Sequence, residues 1–241
     1  MKKKYLEIIL DNLKTHPNPK IEYEQYSIEG KLASEILTFA KNDIKNNIVI
    51  DLGCGTGIFS IGVLLLGAKF VIGIDIDKES IFCAKENLNN LKSIDIINKL
   101  YNNNEIKNFK NKIIFKEENI KNINKEYINN ILIENRITTN NDNNDNNDNN
   151  NNFKYIIIQN PPFGAQQKYA DRIFLEKALN IGNIVYTIHN TPTRDFIINY
   201  VEKEHNRKIT NIFQSDFKIK NIYEFHKKKF VNIPVDIYRI E

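Results

Sequence analysis

Ile48-Val49-Ile50-Asp51-Leu52-Gly53-Cys54-Gly55-Thr56-Gly57 is the stretch on which the fold turns. Its first five residues read as a buried strand, and an apolar helix pattern, Ile58 to Leu66, follows directly behind the glycines. Glycines at alternate positions let the backbone turn sharply and approach a ligand with no Cβ in the way. The helix start just behind offers unsatisfied N–H groups. Strand, glycine loop and helix in that order open an α/β sheet, whose ligands sit beyond the carboxyl ends of the strands.

Downstream, Phe70 to Ile74 reads as a second strand ending at Asp75. That acid lies about 20 residues past the glycine loop, where a carboxylate can bind ribose hydroxyls. The loop departs from the dinucleotide fingerprint, with Asp51 two residues before its first glycine, and no second mononucleotide-binding half follows. Both points favour S-adenosylmethionine over NAD as cofactor. Asp77 reads as the cap of a helix from Glu79 to Leu91. Residues 92 to 111 are rich in Asn and Lys with little period, and Lys112 to Phe115 is a third short strand ahead of Glu117, Glu118 and Asn119.

From 140 to 152 the chain is Asn broken only by Asp142, Asp145 and Asp148. Such a run buries too little apolar surface to offset its ordering entropy. The expectation is a disordered loop insertion over about 121–152, with only Tyr127 to Ile133 as a helix candidate, inside a single domain spanning 1–241. The fourth strand, Phe153 to Ile158, leads into Gln159-Asn160-Pro161-Pro162-Phe163-Gly164. Two prolines fix an extended backbone, because the residue before each is pushed out of the helical region. The turn thus holds a polar Asn and an aromatic Phe in fixed relation at a strand end, a cradle for a planar amine such as a nucleobase. A turn with an aromatic plug is the structural alternative.

A helix from Asp171 to Leu179 and a fifth strand, Ile184 to Ile188 with His189 at its end, come next. His189 reads equally well as a pocket residue or as a hydrogen-bonded structural one. Thr191-Pro192 marks a helix start running to about His205, and two strand-like runs, Ile209 to Phe217 and Val231 to Ile240, close the chain. Strands alternating with helices imply a mostly parallel sheet wound on both faces, and the closing pair implies an antiparallel edge.

Upstream, Leu6, Ile9, Leu10 and Leu13 form the apolar face of a short first helix, which reads as structure rather than as a signal peptide. Gly30 to Asn42 is a second helix. The chain has 241 residues, a formal charge of +4 and two cysteines, Cys54 and Cys83. That length suits one α/β domain, the charge permits a nucleic-acid partner, and the cysteines give neither a metal spacing nor a disulfide framework. An intracellular, reducing home is expected, and no apolar run reaches the roughly 18 residues of a membrane span.

Several motifs occur together in one order: Glu24-Gln25-Tyr26, Leu52 to Gly62, Gly73 to Asp77, Asn160-Pro161-Pro162-Phe163-Gly164, Tyr186 to His189, Thr193-Arg194 and Phe225-His226-Lys227-Lys228-Lys229. In these the chain resembles the methyltransferase-like protein 5 family, over nearly its whole length apart from the Asn-rich insertion. The resemblance implies a class I methyltransferase, with a seven-stranded Rossmann-like sheet, that methylates the N6 of an adenine in small-subunit (18S-type) ribosomal RNA. It implies that Gln25 closes over the methionine part of S-adenosylmethionine, that Asp51, Gly53, Cys54, Gly55 and Gly57 line it, and that Asp75 binds its ribose. Asn119 stands where the family has an Asp near the cofactor's adenine, with Glu117 and Glu118 blurring the match. Asn160 and the Pro161 carbonyl would hold the target amine, Pro162 would stiffen the turn, and Phe163 would stack on the base. Lys227, Lys228 and Lys229 would meet RNA phosphates. The family further implies a small zinc-binding activator protein as heterodimer partner; this chain offers no zinc ligands of its own, and its expected home is intracellular, in the nucleus or nucleolus, the cytoplasm, or both. Protein-glutamine N5-methylation and a non-catalytic ribosome-assembly role are the rival readings.

Overall fold

A computed structural model of the chain describes residues 1–137, 154–164, 169–220 and 230–241. Seven strands make one sheet: β1 (Ile48–Leu52), β2 (Phe70–Asp75), β3 (Ile113–Glu117), β4 (Tyr155–Gln159), β5 (Ile184–Asn190), β6 (Ile209–Lys220) and β7 (Phe230–Ile240). Their order is β3-β2-β1-β4-β5-β7-β6. The first five run parallel, while β7 lies antiparallel between β5 and β6, so the antiparallel strand stands next to the edge and β6 forms the edge itself.

Topology places the site. From β1 the chain builds outward through β2 to β3, then returns to the other side of β1 with β4, so the switch point falls between β1 and β4. Leu52 pairs with Ile74 on one side and with Gln159 on the other. The glycine loop, the Asp75 loop and the Asn160 loop therefore leave the same edge side by side.

The helices are α1 (Lys3–Asp11), α2 (Gly30–Phe39), α3 (Lys41–Ile44), α4 (Ile58–Leu65), α5 (Lys78–Asn89), α6 (Asp95–Leu100), α7 (Asn103–Phe109), α8 (Lys125–Glu134), α9 (Ala170–Ile181) and α10 (Arg194–Asn199). Strand side chains alternate between faces. Val49, Val71, Ile156 and Ile158 meet Leu6, Ile9 and Leu10 of α1, Ile36 and Leu37 of α2 and Ile61 of α4 in one core. Ile48, Ile50, Ile72 and Ile157 meet Ile128 and Leu132 of α8, Leu175 and Ala178 of α9 and Ile197 of α10 in the other. Each fully buried Ile or Leu contributes about 1.5–3 kcal/mol, more than any single cap in the chain, so these two cores set the fold.

Three expectations change. Residues 92–111 carry α6 and α7. Each is anchored by one buried residue, Ile97 or Ile106, and α7 starts with a capping box in which Asn102 and Glu105 bond each other's backbone N–H. The insertion expected to begin at 121 does not begin there. A 3-10 turn, Ile120–Asn122, is followed by α8, whose Ile128, Ile131 and Leu132 are buried in the second core. The helix expected from Thr191 to about His205 is a 3-10 turn, then α10, then a π-helical turn over Tyr200–Glu204. The Asn-rich run 140–152 lies outside the described residues, as do residues 165–168 and Lys227 to Lys229. Among the described residues no helix is long and apolar enough to cross a membrane.

Candidate functional site

A cavity of about 900 Å³ opens at the switch point. Its walls come from the glycine loop (Gly53, Cys54, Gly55), the ends of β2 and β3 (Asp75, Ile76, Glu118, Asn119), the segment after α1, and Asn160, Pro162 and Phe174. Of the residues singled out in the sequence it gathers Gln25, Gly53, Cys54, Gly55, Asp75, Asn119, Asn160 and Pro162. Asp51, Gly57, Pro161 and Phe163 are not among its described lining residues.

The glycine loop is clamped from behind. Gly53 and Cys54 both donate their N–H to the Ile74 carbonyl, at 2.8 and 2.9 Å. The Asp75 carboxylate accepts from Gly55 N at 2.8 Å and from Asp77 N at 2.9 Å. Burial pushes the Asp75 carboxyl above its usual range, and those two backbone donors hold it down in part. Gly55 has φ +53°, and a Cβ built there would meet no atom within 4 Å. The loop thus presents bare backbone to the cavity at that point. Gly57, at φ +86°, is tight for another reason, since a Cβ would come within 3.1 Å of Ala84 and 3.2 Å of Phe115.

Asp51 has a different place from the one expected. It is buried behind the loop, where Oδ2 accepts from Ser60 N at 2.9 Å and from Ser60 Oγ at 2.6 Å. It ties β1 to the first turn of α4 and shapes the loop without facing the cavity. Burial pushes its carboxyl up to about 7 against the Ser60 bonds. The Cys54 thiol is also pushed up by burial, then by Asp51 and Asp75, so it stays protonated and is no nucleophile.

The residue that sequence reading undervalued is Asp77. It caps α5 as expected, accepting from Ser80 N at 3.1 Å. It also receives Lys20 Nζ at 2.6 Å, His16 Nε2 at 2.7 Å and Gln25 Nε2 at 3.0 Å. Since His16 Nδ1 accepts from Asn18 N at 3.1 Å, the ring proton sits on Nε2 and is donated to Asp77. Burial opposes ionisation of Asp77, but the bonds from Lys20, His16 and Gln25 outweigh it and hold the carboxyl well below the usual range. The segment between α1 and α2 is thereby strapped into the cavity wall. Gln25 is committed to this strap at both ends of its amide, because its Oε1 accepts from Lys20 N at 2.7 Å. It still lines the cavity where the cofactor is expected. No local spacing reveals a bond between residues 52 positions apart; the sequence singled out Gln25 only through the Glu24-Gln25-Tyr26 motif.

Asn119 lines the cavity and caps the 3-10 turn, its Oδ1 accepting from Lys121 N at 3.0 Å. Its amide N–H groups make no hydrogen bond among the described residues. On the other side of the crevice, Asn160 Oδ1 is buried with no hydrogen-bond partner among the described residues. Phe163 does not reach the cavity wall; its ring packs edge-on against Phe217, centroids 5.4 Å apart. His189 is buried, bonded to Thr187 at 2.9 Å, and pushed down to about 3 by burial, so it is a neutral structural histidine.

These features fit a class I S-adenosylmethionine site. Bare backbone at Gly55 faces the cavity, a carboxylate stands at the end of β2, and an acceptor with no partner among the described residues stands across the crevice. The comparisons agree. The family model for ribosomal protein L11 methyltransferase (PrmA) matches residues 35–135, which cover the cofactor half and less than half of the chain. An uncharacterized protein of Methanocaldococcus jannaschii is 52% identical over 100% of this chain and 94% of its own length. The rRNA N6-adenosine-methyltransferase METTL5 of Danio rerio is 29% identical over 99% of this chain and 98% of its own. A solved structure from Pyrococcus horikoshii, described as a candidate RNA methyltransferase, is 35% identical with TM-score 0.75, covering 100% of this chain and 98% of that one. The chain belongs to the methyltransferase-like protein 5 family.

Proposed function

We propose that the chain transfers a methyl group from S-adenosylmethionine to the N6 of an adenine in small-subunit ribosomal RNA. The observation that carries this reading is the buried Asn160 Oδ1, an acceptor with no partner among the described residues, in a residue that lines the cavity holding the glycine loop. A buried acceptor left unbonded costs about 1–3 kcal/mol, a cost that an amine N–H would relieve. The full-length rRNA methyltransferase relatives support the substrate class.

S-adenosylmethionine supplies an electrophilic methyl on a sulfonium. Gly55, Asp75 and Asn119 would hold it, and the Asp77-bound strap would exclude water above it. Asn160 Oδ1 and the Pro161 carbonyl would each accept one hydrogen of the exocyclic amine. That draws its lone pair out of conjugation and aims it across the crevice, so catalysis is positioning and electrostatics. The target base must leave its stack to reach the pocket. Because Phe163 is held by Phe217, it would border the base from behind the turn. Lys227, Lys228 and Lys229 belong to the proposal as phosphate contacts. Replacing all three by Ala should flatten the log–log salt dependence of RNA binding by roughly 2; an unchanged slope would remove them from the interface. The small zinc-binding activator is also part of this reading.

The match to the ribosomal protein L11 methyltransferase model stops at residue 135, short of Asn160, so it speaks for the cofactor and not for a protein substrate. The test is transfer of labelled methyl to small-subunit rRNA by the chain co-expressed with a candidate activator, followed by nucleoside analysis. N6-methyladenosine is the expected product. Label that appears only in protein would overturn the reading in favour of amide methylation.

A further inference from the structure

A row of flat groups begins where the cavity ends. Ala170, Ile173 and Phe174 of α9 line the cavity. The residue before Ala170 is Tyr169, at φ +69° and 47% exposed. Adjacent Cα atoms stand about 3.8 Å apart, so the Tyr169 backbone is at the cavity's rim. The exposed Arg172 guanidinium lies between two rings, 4.3 Å from the Tyr169 centroid and 4.2 Å from the Phe196 centroid. Phe196 in turn stacks on Tyr200, with centroids 5.6 Å apart and planes 26° apart.

A guanidinium between rings could serve only to pin α9 to α10. That role suits a buried contact, yet Tyr169 and Arg172 are both exposed. Aromatic rings beside an arginine, reachable from solvent next to a site that takes up a base, form the usual surface for single-stranded nucleic acid. Rings stack on any base, and the cation serves both ring and phosphate.

We infer that Tyr169, Arg172 and Phe196 form a stacking subsite for a nucleotide flanking the target adenine in single-stranded RNA. This rests on the proposed RNA substrate. When the adenine swings out, its neighbour loses a stacking face, and Tyr169 replaces that face at the rim while Arg172 faces the adjoining phosphate. The subsite acts on RNA binding and leaves the cofactor untouched.

The experiment uses the chain with its activator and a single-stranded fragment of small-subunit rRNA that the wild type labels. Tyr169→Ala should raise the RNA KM at least about fivefold, Tyr169→Phe should stay within about twofold of wild type, and both should bind S-adenosylmethionine normally. Abasic substitution at the flanking position should weaken wild-type binding and leave Tyr169→Ala unaffected. Arg172→Ala is the second variant, should Tyr169→Ala fail to fold, and it should also raise the RNA KM. Wild-type KM in both alanine variants overturns the subsite while leaving the RNA reading intact, as does an abasic penalty equal in wild type and variant. Absence of RNA labelling by the wild type overturns both.

Discussion

Two loops leave the sheet on either side of β1, and they treat their polar groups in opposite ways. After β2, both oxygens of Asp75 are bonded within the chain, and Asp77 gathers four side chains. After β4, the side-chain oxygens of Gln159 and Asn160 are buried with no partner among the described residues. Only Asn160 of these two opens on the cavity; Gln159 points its amide nitrogen at Thr187, 3.0 Å away. A shape that is bonded throughout is preorganised and loses little on binding, whereas an unbonded buried acceptor is a cost awaiting a donor. The first loop holds a form, and the second keeps buried acceptors without a partner among the described residues.

Several changes would break or sharpen that contrast. The largest effect is expected at Gly55. A valine there would be strained at φ +53° and would project into the space the loop leaves open, so Gly55→Val should weaken S-adenosylmethionine binding about 100-fold or more, as read by calorimetry. Wild-type affinity would show that the bare backbone does not face the cofactor. Next comes the strap. Asp77→Ala removes the anchor of His16, Lys20 and Gln25 together with a cap worth about 1 kcal/mol. Residues 15–25 should become protease-sensitive and cofactor affinity should fall by roughly fivefold. If cleavage there stays as slow as in wild type, the strap has another anchor.

A third change concerns pH and is read in stability instead of binding. The Asp51 carboxyl is pushed up to about 7 in the fold from an ordinary value of 3.8, so below about 4 it is protonated in both states and carries no penalty. As pH rises toward 7 the unfolded chain ionises first and the fold loses stability. Between pH 5 and pH 8 that loss is up to roughly 3 kcal/mol. Asp51→Asn should remove this part of the slope in denaturant melts, and an identical slope in both proteins would contradict the assignment.

How much of this was legible in the sequence follows from where the information lies. β1, the glycine loop and the prolines after Gln159 are local patterns, and the structure puts them side by side at the switch point. Asn160 was legible because two prolines leave an Asn little freedom. Asp51 was legible as important but not as buried, since a strand-end acid looks the same whether it faces a ligand or Ser60. Helices α6 and α7 were hidden because each is short and buries one residue, Ile97 or Ile106, too few for a visible period, although the Asn102–Glu105 box was there to be read. The strap was illegible for another reason: His16, Lys20 and Gln25 meet Asp77 only after the chain has crossed from α1 to β2. The packing of Phe163 on Phe217 was illegible too, because that residue comes 54 positions later and its place depends on the β6–β7 register.

The most direct measurement pairs single-turnover methyl transfer with S-adenosylmethionine titration in Asn160→Ala. If the Asn160 oxygen is the acceptor for the reacting amine, transfer should slow by about 100-fold or more while cofactor affinity stays at the wild-type value. Transfer within a few-fold of wild type, or an affinity loss that matches the rate loss, would contradict it.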